Sequence, residues 1–254
     1  MQWCGSSRVS PSMPPTLSPT PRLLLALLPL TFLSAQAHEL THHLVAAPLC
    51  GGFGRLYFWT FTVAPGCYEA RPWAVLATAA GPLFTYGLMY VGAGLLWRGG
   101  GAAAWGAALL AAQMPLARLV TVATGRGGDE GLVARALLGD ASAWRPVIGV
   151  AALALMGPPV WALARAAAPG WPRARWTLAL LLVPMLWSVL LRPLETRLDG
   201  LAPEALLGAG VPWVIAVTDS LVVLALLALW RPLARAVATA ERGEGASGTA
   251  PGTR

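Results

Sequence analysis

The chain has 254 residues, of which 56% are hydrophobic and 11% charged, with a mean hydropathy of +0.61 and a formal net charge of +7. Soluble domains carry about 25% charged residues, so the composition excludes an ordinary soluble enzyme and points to an integral membrane protein. Basic charge comes from 18 arginines and no lysine; they are spaced between apolar segments rather than gathered into a patch, which argues for membrane orientation and against nucleic acid.

In chain order, residues 1–21 are rich in Ser, Pro and Thr and are predicted to be disordered. Six apolar stretches of spanning length follow, near 22–46, 72–97, 102–124, 146–166, 174–192 and 208–230. Residues 238–254 are Gly-rich and polar, and a disordered tail is expected there. Between the first two spans, Leu56 to Val63 reads LYFWTFTV and is followed by the turn signal Ala64-Pro65-Gly66. A β-hairpin at the membrane surface and an aromatic interfacial belt without strand pairing account for it equally well. The expected fold is an all-α polytopic membrane protein of about six transmembrane helices with a short β-hairpin after the first.

Cys50 and Cys67 flank the same loop and would pair in an oxidising compartment, but the favoured expectation is unpaired small apolar residues. Gln113 and Arg118 in the third span are read as structural or snorkelling. Asp219 in the sixth is read as a helix-packing contact or the lining of a water path. With the N-terminus cytoplasmic, the inner segments hold ten arginines against Glu241 and Glu244, and the outer loops hold seven arginines against seven acids. The Ala-, Gly-, Pro- and Arg-rich composition suggests a GC-rich bacterial genome, and so a multi-pass protein of the bacterial cell membrane.

All three histidines of the chain fall in His38-Glu39-Leu40-Thr41-His42-His43, at the end of the first span. The first five residues form the H-E-x-x-H pattern of helical zinc hydrolases. On a helix, residues four apart differ by about 40° in azimuth and about 6 Å in height, so His38 and His42 can share one ion. Glu39 lies about 60° from His42, near enough to serve a metal-bound water without being a ligand. Two imidazoles hold Zn2+ while the carboxylate takes a proton from that water and passes it to the leaving amine. Placing such groups in a span costs about 2.5–3.5 kcal/mol each at the bilayer centre, and a metal compensates. The bland alternatives are a Glu39–His43 bond and a helix end capped by His38 and His42. A further rival reads Arg22, the apolar run and Ala35-Gln36-Ala37 as a cleaved leader, leaving His38 as a copper-binding N-terminus.

The segment AHELTHHLVAAPLCGG, the LYFWTFTV stretch and Ala80-Gly81-Pro82-Leu83 together resemble the site-2 protease family of membrane-embedded zinc metallopeptidases. The resemblance covers residues 22–139 as a metallopeptidase-like core and leaves 140–237 as additional transmembrane helices. It implies an intramembrane metalloprotease with Glu39 as catalytic base, His38 and His42 as zinc ligands and an Asp as third ligand. Asp129, in Gly127-Gly128-Asp129-Glu130-Gly131, is the favoured candidate, because the third span returns to the histidine end just before it. Asp199, in Leu198-Asp199-Gly200, fits the family's letters better but comes two crossings later; Glu130 is a fallback ligand or outer-shell partner. The family's Asn after Gly-Pro is absent and Thr85 stands near its place. The family usually sets its site toward the cytosol, whereas the arginines favour the outer face, so the orientation stays open. The implied partner is a membrane protein substrate, cleaved in a transmembrane or juxtamembrane segment that the hairpin would hold as an added strand. Two other functions remain open: a non-proteolytic scaffold or chaperone of the same fold, and a metal- or haem-binding membrane protein using His38, His42 and His43.

Overall fold

The computed structural model describes residues 21–124, 128–139, 145–167, 171–201 and 207–246. Among them five helical segments are long and apolar enough to cross a membrane: Leu23–Cys50, Pro72–Arg98, Gly100–Ala123, Arg145–Ala166 and Arg173–Leu201. The sixth expected span is the shorter apolar stretch Trp213–Leu229, so the long spans number five rather than six. It opens a helix whose backbone continues to Ala246, well into the stretch expected to be disordered. Residues 1–20, where disorder was expected, and residues 247–254 lie outside the described residues.

Helix α1 (Pro21–Cys50) is the central element and packs against the four helices that span 77–98, 100–112, 171–201 and 213–246 and against the 3-10 turn at 72–76. Its end is written in the sequence. Gly51 takes a left-handed φ of 76°, and the Gly52 N–H donates to the Ala47 carbonyl at 3.0 Å, a Schellman stop that glycine adopts without strain. The Arg71 guanidinium donates to the Leu49 carbonyl at 2.8 Å and adds a cation at the negative end of the helix.

After the short helix α2 (Cys67–Ala70) and a 3-10 turn at Pro72–Leu76, helix α3 (Ala77–Arg98) crosses back. It meets helix α4 (Gly100–Ala112) through paired glycines: a Cβ on Gly92 would lie 2.8 Å from the Gly106 carbonyl oxygen. Without a hydrophobic drive between helices in lipid, such close backbone packing is what holds them. The third expected span is broken. Met114 adopts φ 52°, Pro115 opens helix α5 (Pro115–Ala123), and the Gln113 amide bridges to Ser34 on α1 at 3.0 Å. Gln113 is therefore structural, as expected.

Helix α6 (Gly128–Leu138) has Asp129 and Glu130 in its first turn and Arg135 in its last, which suits the helix dipole. Helices α7 (Arg145–Ala166), α8 (Trp171–Leu201) and α9 (Trp213–Ala246) complete the bundle. Leu27, Leu96, Leu110, Leu163 and Leu180 form a packed core.

The expected β-hairpin is not formed. The chain reverses inside the aromatic run, with Tyr57 N–H donating to Thr60 O and Thr62 N–H to Arg55 O, and only the isolated bridge Leu56–Phe61 results. The helices take the groups a ladder would need. Gln36 donates to Phe58 O at 2.8 Å, Phe58 N–H donates to Asp199, and Leu56 N–H donates to Gly210 O. Leu56 and Phe58 are buried beneath Phe32 and Ile215, so tertiary burial outweighs strand propensity. The cysteines also differ from expectation: Cys50 and Cys67 form a disulfide, with Cα atoms 5.3 Å apart. The Schellman stop at the end of α1 turns the chain so that both sides of the loop meet.

Candidate metal centre

His38 and His42 stand one turn apart on α1, and their Nε2 atoms are 3.0 Å from each other. Asp129, from the first turn of α6, brings Oδ2 to 3.0 Å from His38 Nε2 and 3.5 Å from His42 Nε2. A tetrahedral ion with bonds of about 2.05 Å separates its ligand atoms by about 3.3 Å, so this triangle has the size one Zn2+-like cation requires.

The remaining ring nitrogens set the tautomers. His42 Nδ1 lies 2.9 Å from the Ala77 carbonyl, which only accepts, so Nδ1 carries the proton. The longer approach of Gly81 N–H to the same nitrogen, at 3.3 Å, is the weaker contact. His38 Nδ1 lies 2.8 Å from Thr85 Oγ1, which can accept its proton. With that tautomer of His38, both imidazoles turn a bare Nε2 lone pair toward Asp129. Three acceptors converge on one point with no donor between them, and a cation resolves that repulsion. Outer partners of this kind orient metal-binding imidazoles and raise their basicity.

Gly81 is what lets α3 come this close. A Cβ there would lie 2.5 Å from His42 Cε1 and 2.7 Å from His38 Cε1, and nearer still to His42 Nε2. Phe61 stacks on the other side of His42 with centroids 4.9 Å apart.

Glu39 makes no hydrogen bond or ion pair with a described residue, and it feels the charges of His42, Asp129, Arg118 and Arg192. His43 does not bond Glu39; its Nε2 donates to the Ala209 carbonyl at 2.6 Å and its ring leans on Phe53. That contact ties the connection before α9 to α1. His43 therefore stands apart from the triangle.

Of the two candidate aspartates, Asp129 joins the histidines and Asp199 does not: Asp199 accepts the Phe58 N–H at 3.3 Å. Glu130 is an outer partner rather than a ligand. It accepts from Arg118 Nη1 at 2.5 Å and from the Tyr86 hydroxyl at 2.8 Å. Arg118 lies over the Tyr86 ring, and its Nη2 comes within 3.5 Å of His38 Nδ1. The snorkelling alternative for Arg118 is thus corrected, since the break at Met114 turns α5 so that this side chain reaches the site. Its cost inside a span was the available signal. Tyr86 and the Ala77 carbonyl left no mark in the sequence. Asp219 is half-buried with Oδ1 unpartnered among the described residues, which does not support a satisfied helix-packing contact.

No family model, curated protein or solved structure matches this chain.

Proposed function

We propose that the chain is a zinc-dependent membrane endopeptidase that cleaves transmembrane or juxtamembrane peptides of other membrane proteins. The observation that carries this reading is the convergence of His38 Nε2, His42 Nε2 and Asp129 Oδ2, three protein ligands of the kind that leave a fourth position of a tetrahedral ion open. Bound there, the ion supplies a Lewis acid that brings the pKa of water near 7 and polarises a carbonyl.

Glu39, next to His38 on α1 and without a hydrogen bond to a described residue, would accept a proton from the attacking water and return it to the leaving amine. Thr85 and the Ala77 carbonyl keep the imidazoles aimed. Arg118, neutralised by Glu130, leaves a guanidinium edge near the site that can hold a peptide carbonyl or its developing negative charge. Phe61 shields one face of His42 from solvent. Strand addition has no support here, because the turn at Leu56–Phe61 spends its backbone groups on its own closure and on neighbouring elements. The likeness of Ala37 to Gly52 and of Ala80 to Leu83 to the site-2 protease family agrees with this chemistry, and the composition with a bacterial cell membrane.

The test is co-expression with a membrane-anchored reporter. Cleavage is expected with the wild type and not with Glu39→Gln, while both bind one equivalent of zinc. Cleavage by a zinc-loaded Glu39→Gln protein refutes the role of Glu39; no zinc in the wild type refutes the whole reading.

A further inference from the structure

The metal centre and the contacts that brace its surroundings lie at one end of the bundle. Asp129 opens α6 after the third crossing, Asp199 holds the 56–61 turn at the end of α8, and His43 grips Ala209 just before α9. The Cys50–Cys67 disulfide belongs to the same end and closes the loop between α1 and α3. That loop carries Phe61, which stacks on His42, and Phe53, which leans on His43. Arg71, four residues past Cys67, is bonded back to the end of α1.

The opposite end has a different character. Its two connections, at Gly99 and at 167–170, are flanked by Arg98, Arg165, Arg173 and Arg175 and carry no acid. The connections at the metal end mix Glu69, Asp129, Glu130, Asp140 and Glu204 with Arg55, Arg71, Arg126, Arg135 and Arg145. Counted along the sequence with both terminal segments, the opposite side holds ten arginines and the metal side seven, and an excess of arginine marks the cytoplasmic side. Disulfides persist on the other side, where thiols are not kept reduced. Two independent features, one of charge and one of sulfur, therefore assign the same face.

We infer that the metal centre opens on the non-cytoplasmic, oxidising face of the membrane, and that the Cys50–Cys67 disulfide staples over it the loop bearing Phe61. In forming the bond, the two thiols lose two protons and two electrons to a disulfide-carrying thiol oxidant of that compartment, which leaves as a dithiol. Resting on the proteolytic reading, this narrows the substrate class to peptide segments exposed at or just beyond the non-cytoplasmic surface.

The orientation is tested in intact cells on the full chain in a Cys4→Ser background, using a membrane-impermeant maleimide-polyethylene glycol. No label is expected on the untreated protein, and two labels after a membrane-impermeant phosphine reductant. A Trp97→Cys reporter at the exposed opposite end of α3, with Cys50 and Cys67 replaced by Ser, is expected to label only after lysis. Free thiols at Cys50 and Cys67 without reductant overturn the staple. Labelling of these two positions only after lysis, or of Trp97→Cys in intact cells, overturns the orientation. Two membrane-anchored reporters, each with its scissile junction on one face, test the substrate class: cleavage of the non-cytoplasmic one alone is expected, and cleavage of the cytoplasmic one overturns it. If neither is cut while the labelling holds, the orientation stands and the proteolytic reading fails.

Discussion

Replacing Gly81 by Ala adds one methyl group at the point where α3 touches both imidazoles. Ordinary carbon contacts fall at about 3.5–4.0 Å. The new Cβ would lie 2.5 Å from His42 Cε1 and 2.7 Å from His38 Cε1, so each ring must retreat by about 1 Å. Overpacking of this kind costs about 1–3 kcal/mol of stability. The metal site should lose more in relative terms, because both rings retreat together from the 3.0 Å approach that lets them share an ion. Disturbing the groups that orient metal ligands lowers affinity about 10–100-fold. The upper end is expected here, or about 2.8 kcal/mol at 1.4 kcal/mol per tenfold. The assay is a zinc titration of metal-stripped, detergent-purified protein against a competing chelator, with thermal unfolding measured alongside. Gly87→Ala is the control: it lies on the same helix, with nothing within 4 Å of the added Cβ. It should bind zinc as the wild type does and gain about 0.5–1 kcal/mol from helix propensity. If Gly81→Ala also binds zinc with unchanged affinity, the two Nε2 atoms do not face each other beneath α3, and the centre as described is wrong.

Other perturbations separate the roles of individual residues. Asp129→Ala should abolish stoichiometric zinc binding, whereas Asp199→Ala should leave it intact, as elemental analysis of the purified proteins would show. Thr85→Val removes the acceptor of His38 Nδ1 at nearly constant volume and should lower zinc affinity about 10–100-fold with little change in unfolding temperature. Arg118→Gln strips Glu130 of its cation and should slow reporter cleavage far more than it lowers zinc content; an equal loss of both would make Arg118 a support for the metal site and no more. Gly106→Val forces α3 and α4 apart where its Cβ would lie 2.7 Å from Leu96 N, and should destabilise the protein by about 1–3 kcal/mol in a detergent unfolding assay.

Some of this protein was legible in the order of its residues. Apolar runs of spanning length announced a helical membrane bundle, because lipid leaves the backbone no partner but itself. The four-residue spacing of His38 and His42 put both rings on one helix face, and Gly51-Gly52 ended that helix, since both depend on local geometry alone. The alternation of crossings favours Asp129 over Asp199 from the sequence alone. Other features were decided only when the helices packed. The aromatic run 56–63 had the propensity of a hairpin, yet Gln36, Asp199 and Gly210 claimed its backbone groups and left a single bridge. Arg118 read as structural or snorkelling, and only the break at Met114 turned it toward Glu130 and His38. Cys50 and Cys67 are 17 residues apart, and their meeting depended on how the loop folds back over the end of α1. Periodicity and turn chemistry act within a few residues, whereas hydrogen-bond partners, ring tautomers and the approach of Gly81 to two imidazoles belong to contacts between distant segments, which no local pattern encodes.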